Sequence, residues 1–104
     1  MRSYLADGRV VRLRPAPGAS GRWAVDAELA AQAVPPALAR RTGIADPARF
    51  WPLWTRAEVA CKLLDVSILV WLRRYGLEPP PVPGIRIGTH LLDDVVISVG
   101  TLSA

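Results

Sequence analysis

The run of five apolar residues from Ile68 to Leu72 constrains the fold of this chain more than any other feature. A helix built from such a run is apolar all round, so it is buried on every side or lies in an interface. Leaving the run exposed to water would lose the stabilising free energy of burial, about 1.5–3 kcal/mol per large side chain. That loss is large compared with a typical net stability of about 5–15 kcal/mol. The rest of the chain, or a neighbouring subunit, must cover these residues.

The residues around the apolar run allow two interpretations. In the first, Arg56–Tyr75 is one continuous helix whose apolar positions recur at spacings of four, three and four. That stripe consists of Val59, Leu63, Val66 and Val70. In the second, the chain turns at Asp65, and Ser67 caps a shorter helix that ends at Gly76. The bent form turns the apolar run towards the core.

Several stretches in this region resemble the helix-turn-helix of MerR and excisionase proteins. TRAEVA (55–60) resembles the first helix, with Thr at the cap and Glu three residues later, and LLDVS (63–67) resembles the turn. LRRYGL (72–77) resembles the end of a Fis-type recognition helix, and GIRIG (84–88) is similar to the wing of excisionase-like proteins. The resemblance covers about residues 54–97 and implies a DNA-binding module.

The resemblance implies double-stranded DNA as the partner. Arg73 and Arg74 would contact phosphate or guanine, and Ser67 would cap the reading helix. The residues expected to bind phosphates are Arg56, Lys62 and Arg86. The chain departs from the Fis-type pattern because Gly76 follows Ser67 by nine positions instead of twelve. Aliphatic side chains also occupy the reading face, where they can contact only a thymine methyl group.

A structural or interaction protein is the alternative function. The apolar helix would then be an interface with a second copy or within a particle, such as a phage head or tail connector. Its interface residues would be Ile68, Leu69, Trp71 and Leu72. The uncharged C-terminal segment 95–104 would add a strand to the sheet edge of a neighbour.

Composition favours an acidic partner and disfavours catalysis. The 104 residues carry a net charge of +4, which favours an acidic partner such as nucleic acid. Cys61 and His90 are each alone, so no thiolate or imidazole metal site is expected. Asp93 and Asp94 are adjacent and would point to opposite faces of a strand. We expect no enzyme, no catalytic residue and no cofactor.

Local signals elsewhere predict short helices and strands. Asp7-Gly8 predicts a β-hairpin, and Asp26 predicts a cap for a helix over 27–34. Further helices are expected over 37–42, closed by Gly43, and from Asp46. The aromatic segment 50–54 is expected to pack in the core. At the C-terminal end, either a hairpin forms around Asp93-Asp94, or a wing strand over 85–90 precedes a short helix over 92–99.

The sequence thus predicts an α+β fold, namely a small helical domain with a short N-terminal β-hairpin and a C-terminal wing or hairpin. Its expected parts are an arm (1–25), a helical core (26–77) with the helix-turn-helix-like segment (55–77), a polyproline II spacer (78–84) and the C-terminal element (85–104). The chain begins without an apolar signal core and has no apolar stretch of about 20 residues. We expect it in the cytoplasm, or in a particle assembled there.

Overall fold

The chain folds into a three-stranded antiparallel sheet with helices against one face and a short hairpin against the other. The computed structural model describes residues 1–78 and 81–103. The elements are β1 (Arg2–Tyr4), β2 (Val10–Arg12), β3 (Arg22–Leu29), α1 (Pro36–Thr42), α2 (Pro47–Leu64), α3 (Ile68–Tyr75), β4 (Ile85–Leu92) and β5 (Val95–Leu102). This arrangement confirms the predicted α+β class.

The strand β5 is central, with β3 on one side and β4 on the other. Leu92 pairs with Val95 across a two-residue turn, in which Asp93 has a φ of 54°. The predicted terminal hairpin is confirmed, and the alternative of a wing strand followed by a helix is wrong. The segment 95–102 cannot add a strand to a neighbour, because it already has a strand on each side; residue 104 lies outside the described residues.

The N-terminal hairpin predicted at Asp7-Gly8 is confirmed by the antiparallel pairing of β1 with β2. It packs against the face of the sheet that is turned away from α2, where Leu5 contacts Ala27 of β3 and Val95 of β5. Ser3 Oγ accepts a hydrogen bond from the backbone N–H of Ala27 at 3.1 Å. The hairpin therefore also covers part of the outer edge of β3.

The helix predicted after Asp26 is wrong, because β3 continues through this residue to Leu29. Alanine-rich sequence favours a helix by local propensity, but pairing with β5 buries Ala27 completely. Tertiary contact decides the conformation here. The expected boundary between arm and helical core at residue 25 consequently falls inside a strand.

Helix α1 is closed by Gly43 and α2 is capped by Asp46, both as predicted. The predicted helix start at Thr55 is wrong, because α2 runs unbroken from Pro47 to Leu64. Thr55 lies in the middle of this helix and is completely buried. Its hydroxyl shares a 2.8 Å hydrogen bond with Ser98 of β5, so the residue fastens the helix to the sheet.

Helix α2 lies directly over β5, and Gly100 permits the close approach. A β-carbon at Gly100 would lie 2.5 Å from Val59 Cγ1 and 3.2 Å from Leu63 Cδ1. Nearer the start of α2, the rings of Phe50 and Trp51 pack edge to face with centroids 4.7 Å apart. Both are buried, which confirms that the aromatic segment contributes to the core.

The chain turns between α2 and α3, so the continuous helix over Arg56–Tyr75 is wrong and the bent alternative is confirmed. Asp65 has left-handed backbone angles, φ 58° and ψ 46°. Ser67 then caps α3, its Oγ accepting an N–H of the first turn at 3.2 Å. The turn lets Trp71 and Leu72 reach the core, where both are buried.

Helix α3 ends at Gly76, as predicted. Beyond it Leu77 is buried, and Glu78 forms an exposed ion pair with Arg49 at 3.1 Å. The polyproline II conformation predicted for 78–84 includes residues 79 and 80, which lie outside the described residues.

Candidate interaction surface

Helix α3 has one buried and one exposed side. Leu69, Val70, Arg73 and Arg74 are all exposed, and each lies three or four positions from another of the set, as neighbours on one side of a helix do. These four residues are called the outer face of α3 below. Leu69 is 52% exposed and Val70 is 46% exposed, which is high for apolar side chains that lie side by side.

The outer face of α3 has an apolar beginning and a basic end. Arg73 and Arg74 form no salt bridge with any residue of the described ranges. They lie in the last turn, where their charge complements the C-terminal end of the helix dipole. An apolar patch bordered by two free cations results.

The four residues predicted as an interface are divided between the two sides of α3. Leu69 is on the outer face, and Ile68 is half-buried. Trp71 and Leu72 are core residues of this chain, 3% and 7% exposed. The sequence could not show which of these residues face the core, because five consecutive apolar residues have no alternation of apolar and polar positions.

The six residues predicted to contact DNA do not converge on one surface. Only Ser67, Arg73 and Arg74 belong to α3 or its cap. Arg56 lies on α2 beside β4, where its Nη1 donates to the carbonyl oxygen of Ile87 at 3.2 Å.

The other two predicted contacts lie elsewhere. Arg86 points away from the helices, because its strand neighbours Ile85 and Ile87 pack under α2 and side chains alternate along a strand. Lys62 lies at the opposite edge of the sheet from β4, with its Nζ donating to Asp26 at 3.2 Å and to the carbonyl oxygen of Val25 at 2.8 Å.

An acidic cluster lies near Lys62, with Asp26 buried and Glu28 and Glu58 half-buried, and sequence reasoning missed it. Burial raises the pKa of Asp26, although the nearby Lys62 acts to lower it. Burial likewise raises the pKa of Glu28 and the pKa of Glu58. Asp26 Oδ2 is buried without a hydrogen-bond partner. One signal in the sequence could have indicated this cluster. Asp26 lies between the apolar residues Val25 and Ala27, in a segment whose sequence is also compatible with a buried strand.

The residues considered for catalysis have structural roles or lie at the surface. Burial raises the pKa of the Cys61 thiol to about 11, so the thiol is protonated at neutral pH. His90 is exposed on β4. Asp94 forms an exposed ion pair with Arg9 at 2.7 Å. Within residues 1–78 and 81–103, no group of three or more His, Cys, Asp or Glu residues is placed to hold a metal ion.

Comparisons of the chain with family models, curated proteins and solved structures found no match. Among the helices that the structure describes, none combines the length and the apolar character that crossing a membrane requires.

Proposed function

We propose that this protein is a small interaction subunit that docks onto a partner protein through the outer face of α3. The observation that carries the proposal is the exposure of Leu69 and Val70 side by side on a helix whose other side places Trp71 and Leu72 in the core. Exposed apolar patches bordered by polar residues mark interaction sites in soluble proteins. Burying two such side chains contributes about 1.5–3 kcal/mol each.

The partner surface is expected to be apolar with carboxylates at one side. Arg73 and Arg74 extend the apolar patch towards the end of α3 and have no acidic neighbour in the described chain. An arginine binds a carboxylate with two parallel hydrogen bonds, so acidic side chains beside an apolar groove match this face. The helix-in-groove mode of recognition likewise uses side chains three and four positions apart on one face of a helix.

Replacing Leu69 and Val70 with glutamine tests the proposal. Both residues are exposed, and glutamine is a good helix former, so the free energy of unfolding should change by no more than about 0.5 kcal/mol. The tagged double variant should lose a partner that wild type retains in cells that naturally produce the protein. Affinity purification with quantitative mass spectrometry measures this loss.

The matched control is Val10→Gln, which changes an exposed apolar residue on β2 and leaves α3 intact. This control should retain the partner. Equal protein lists for wild type, L69Q/V70Q and the control would refute docking through α3.

DNA binding is a second candidate, favoured by the turn at Asp65 and the Ser67 cap. Arg73 and Arg74 are free to contact phosphates. In that case a labelled duplex should bind at low salt, and R73A/R74A should reduce the salt slope by about 2. Fluorescence anisotropy at several salt concentrations measures both effects. Absence of binding to any duplex at low salt would eliminate this candidate.

A further inference from the structure

The outer edge of β4 is open for pairing. Ser103 donates its backbone N–H to the carbonyl oxygen of Gly84 at 2.9 Å, in register with the β4–β5 pairing. Opposite residues in an antiparallel pair alternate between bonded and non-bonded, so the even-numbered residues of β4 bond to β5. The N–H and C=O groups of Ile87, Thr89 and Leu91 consequently point outwards.

The other edge of the sheet is covered. On β3 the outward carbonyl oxygen of Val25 accepts from Lys62 Nζ at 2.8 Å. The outward N–H of Ala27 donates to Ser3 Oγ at 3.1 Å. On β4, within the described residues, two outward backbone groups have partners: the carbonyl oxygen of Ile87 accepts from Arg56 at 3.2 Å, and the N–H of Ile85 donates to the carbonyl oxygen of Val82 at 3.2 Å. Proteins usually protect sheet edges in this way, so the long open edge of β4 is the exception in this sheet.

Apolar surface accompanies the open edge. Leu91 is 66% exposed and Leu92 is 59% exposed, the former on the side of α2. Two cavities lie between the helices and this edge. One, of about 330 Å³, is lined by residues that include Leu53 and Ile85. The other, of about 360 Å³, is lined by residues that include Pro52 and Leu91.

We propose that a second copy of this chain pairs its β4 antiparallel with this edge, giving a six-stranded sheet. Pairing centred on Gly88 places Ile85 opposite Leu91 of the second copy and Ile87 opposite Thr89 of the second copy. All of these residues are odd-numbered, so their outward N–H and C=O groups face each other. The N–H of Ile85 already donates to the carbonyl oxygen of Val82 at 3.2 Å, so this pair is joined through the N–H of Leu91 and the carbonyl oxygen of Ile85. The contact of Arg56 does not prevent pairing, because a carbonyl oxygen has two lone pairs.

A second copy fits this edge because the edge is complementary to itself. The two-fold arrangement brings Leu91 of the second copy beside Ile85, at the first cavity. It equally brings Ile85 of the second copy beside Leu91, at the second cavity. Such a contact, in which the same patch serves both subunits, is the usual form of a homodimer interface. This inference is independent of docking through α3.

Leu91→Pro tests the pairing, with Leu91→Ala as its matched control. Proline removes one outward N–H and leaves the bonds between β4 and β5 intact, which an edge position tolerates. Wild type should sediment as a dimer at about 100 μM, which corresponds to a Kd below that concentration. L91P should weaken dimerisation at least about tenfold more than L91A does. Circular dichroism verifies that both variants are folded.

Amide hydrogen exchange gives a second, residue-level measurement. The even-numbered amides of β4 should be protected at every protein concentration, because they bond to β5. The amides of Ile87, Thr89 and Leu91 should become protected only as the dimer forms. A monomer at about 100 μM, or odd-numbered amides that exchange rapidly in a dimer, would overturn the proposal. A dimer dissociated by L69Q/V70Q but unaffected by L91P would place the contact on α3 instead.

Discussion

Gly100→Ala is expected to destabilise the protein by about 2–3 kcal/mol, a large effect for the addition of one methyl group. Its β-carbon would lie 2.5 Å from Val59 Cγ1, and also 3.2 Å from Ile87 Cγ1 and from Leu63 Cδ1. Three well-packed side chains on two elements cannot all retreat, so α2 must lift from β5 or adopt strained rotamers. Urea denaturation followed by tryptophan fluorescence measures the loss of stability.

Gly88→Ala is the matched control for this substitution. Gly88 lies on the neighbouring strand, and a β-carbon there would approach only His90 Nε2, at 3.3 Å. His90 is exposed and can move, so the change in the free energy of unfolding should stay within about 0.5 kcal/mol. If G100A and G88A were equally stable, the close packing of α2 on β5 would be refuted.

Lys62→Met is expected to cost about 2–3 kcal/mol at neutral pH. Breaking a buried ion pair costs about 3–5 kcal/mol because it leaves a buried charge without its partner, and the Lys62 side chain is 39% exposed, which reduces the effect. Asp26 would keep its burial and lose the cation that lies 3.2 Å from its Oδ1. Urea denaturation at pH 7 gives the loss directly.

The pH dependence of stability reports on the carboxyl groups whose pKa Lys62 lowers, of which Asp26 is the most buried. Burial raises the pKa of Asp26 in the folded state, so the folded state binds the proton more tightly than the unfolded chain does. The resulting stabilisation is present in acid and is lost as the pH rises through the folded-state pKa. Lys62 opposes this rise in pKa, so K62M should lose more stability than wild type as the pH rises, and the loss should continue to a higher pH.

The double variant K62M/D26N is the control for the lysine substitution. An amide has the shape of the carboxylate without its charge, so this variant should recover most of the stability that K62M loses at neutral pH. Its stability should also depend less on pH. A double variant as unstable as K62M would mean that Lys62 acts through its hydrogen bond to the carbonyl oxygen of Val25 and not through Asp26.

Predictions from local sequence were correct where the conformation of a short segment depends mainly on its own residues. The hairpin at Asp7-Gly8, the cap at Asp46 and the turn around Asp93 all formed as expected, because each depends on a few neighbouring residues. The turn at Asp65 belongs to this group, although its sequence was equally compatible with a continuous helix. What decided between the two forms was the burial of Trp71.

Local signals failed where a distant strand supplied the contacts. The Thr55–Glu58 pattern predicts a helix start, yet Thr55 bonds to Ser98, which lies 43 residues later in the chain. The segment after Asp26 has helical propensity, yet it pairs with β5 at the far end of the sequence. Contacts between residues so far apart in the chain cannot be predicted from the spacing of neighbouring residues.

By itself the sequence determined the α+β class, most turns and caps, and the need to bury the run from Ile68 to Leu72. The tertiary structure alone decided that this run is divided, with Trp71 and Leu72 inside and Leu69 and Val70 outside. It alone decided that the expected DNA contacts are dispersed, since Lys62 is held by Asp26 of a distant strand. The physical reason is that composition fixes how much apolar surface must be buried, whereas the packing of α2 on the sheet fixes which side chains do so.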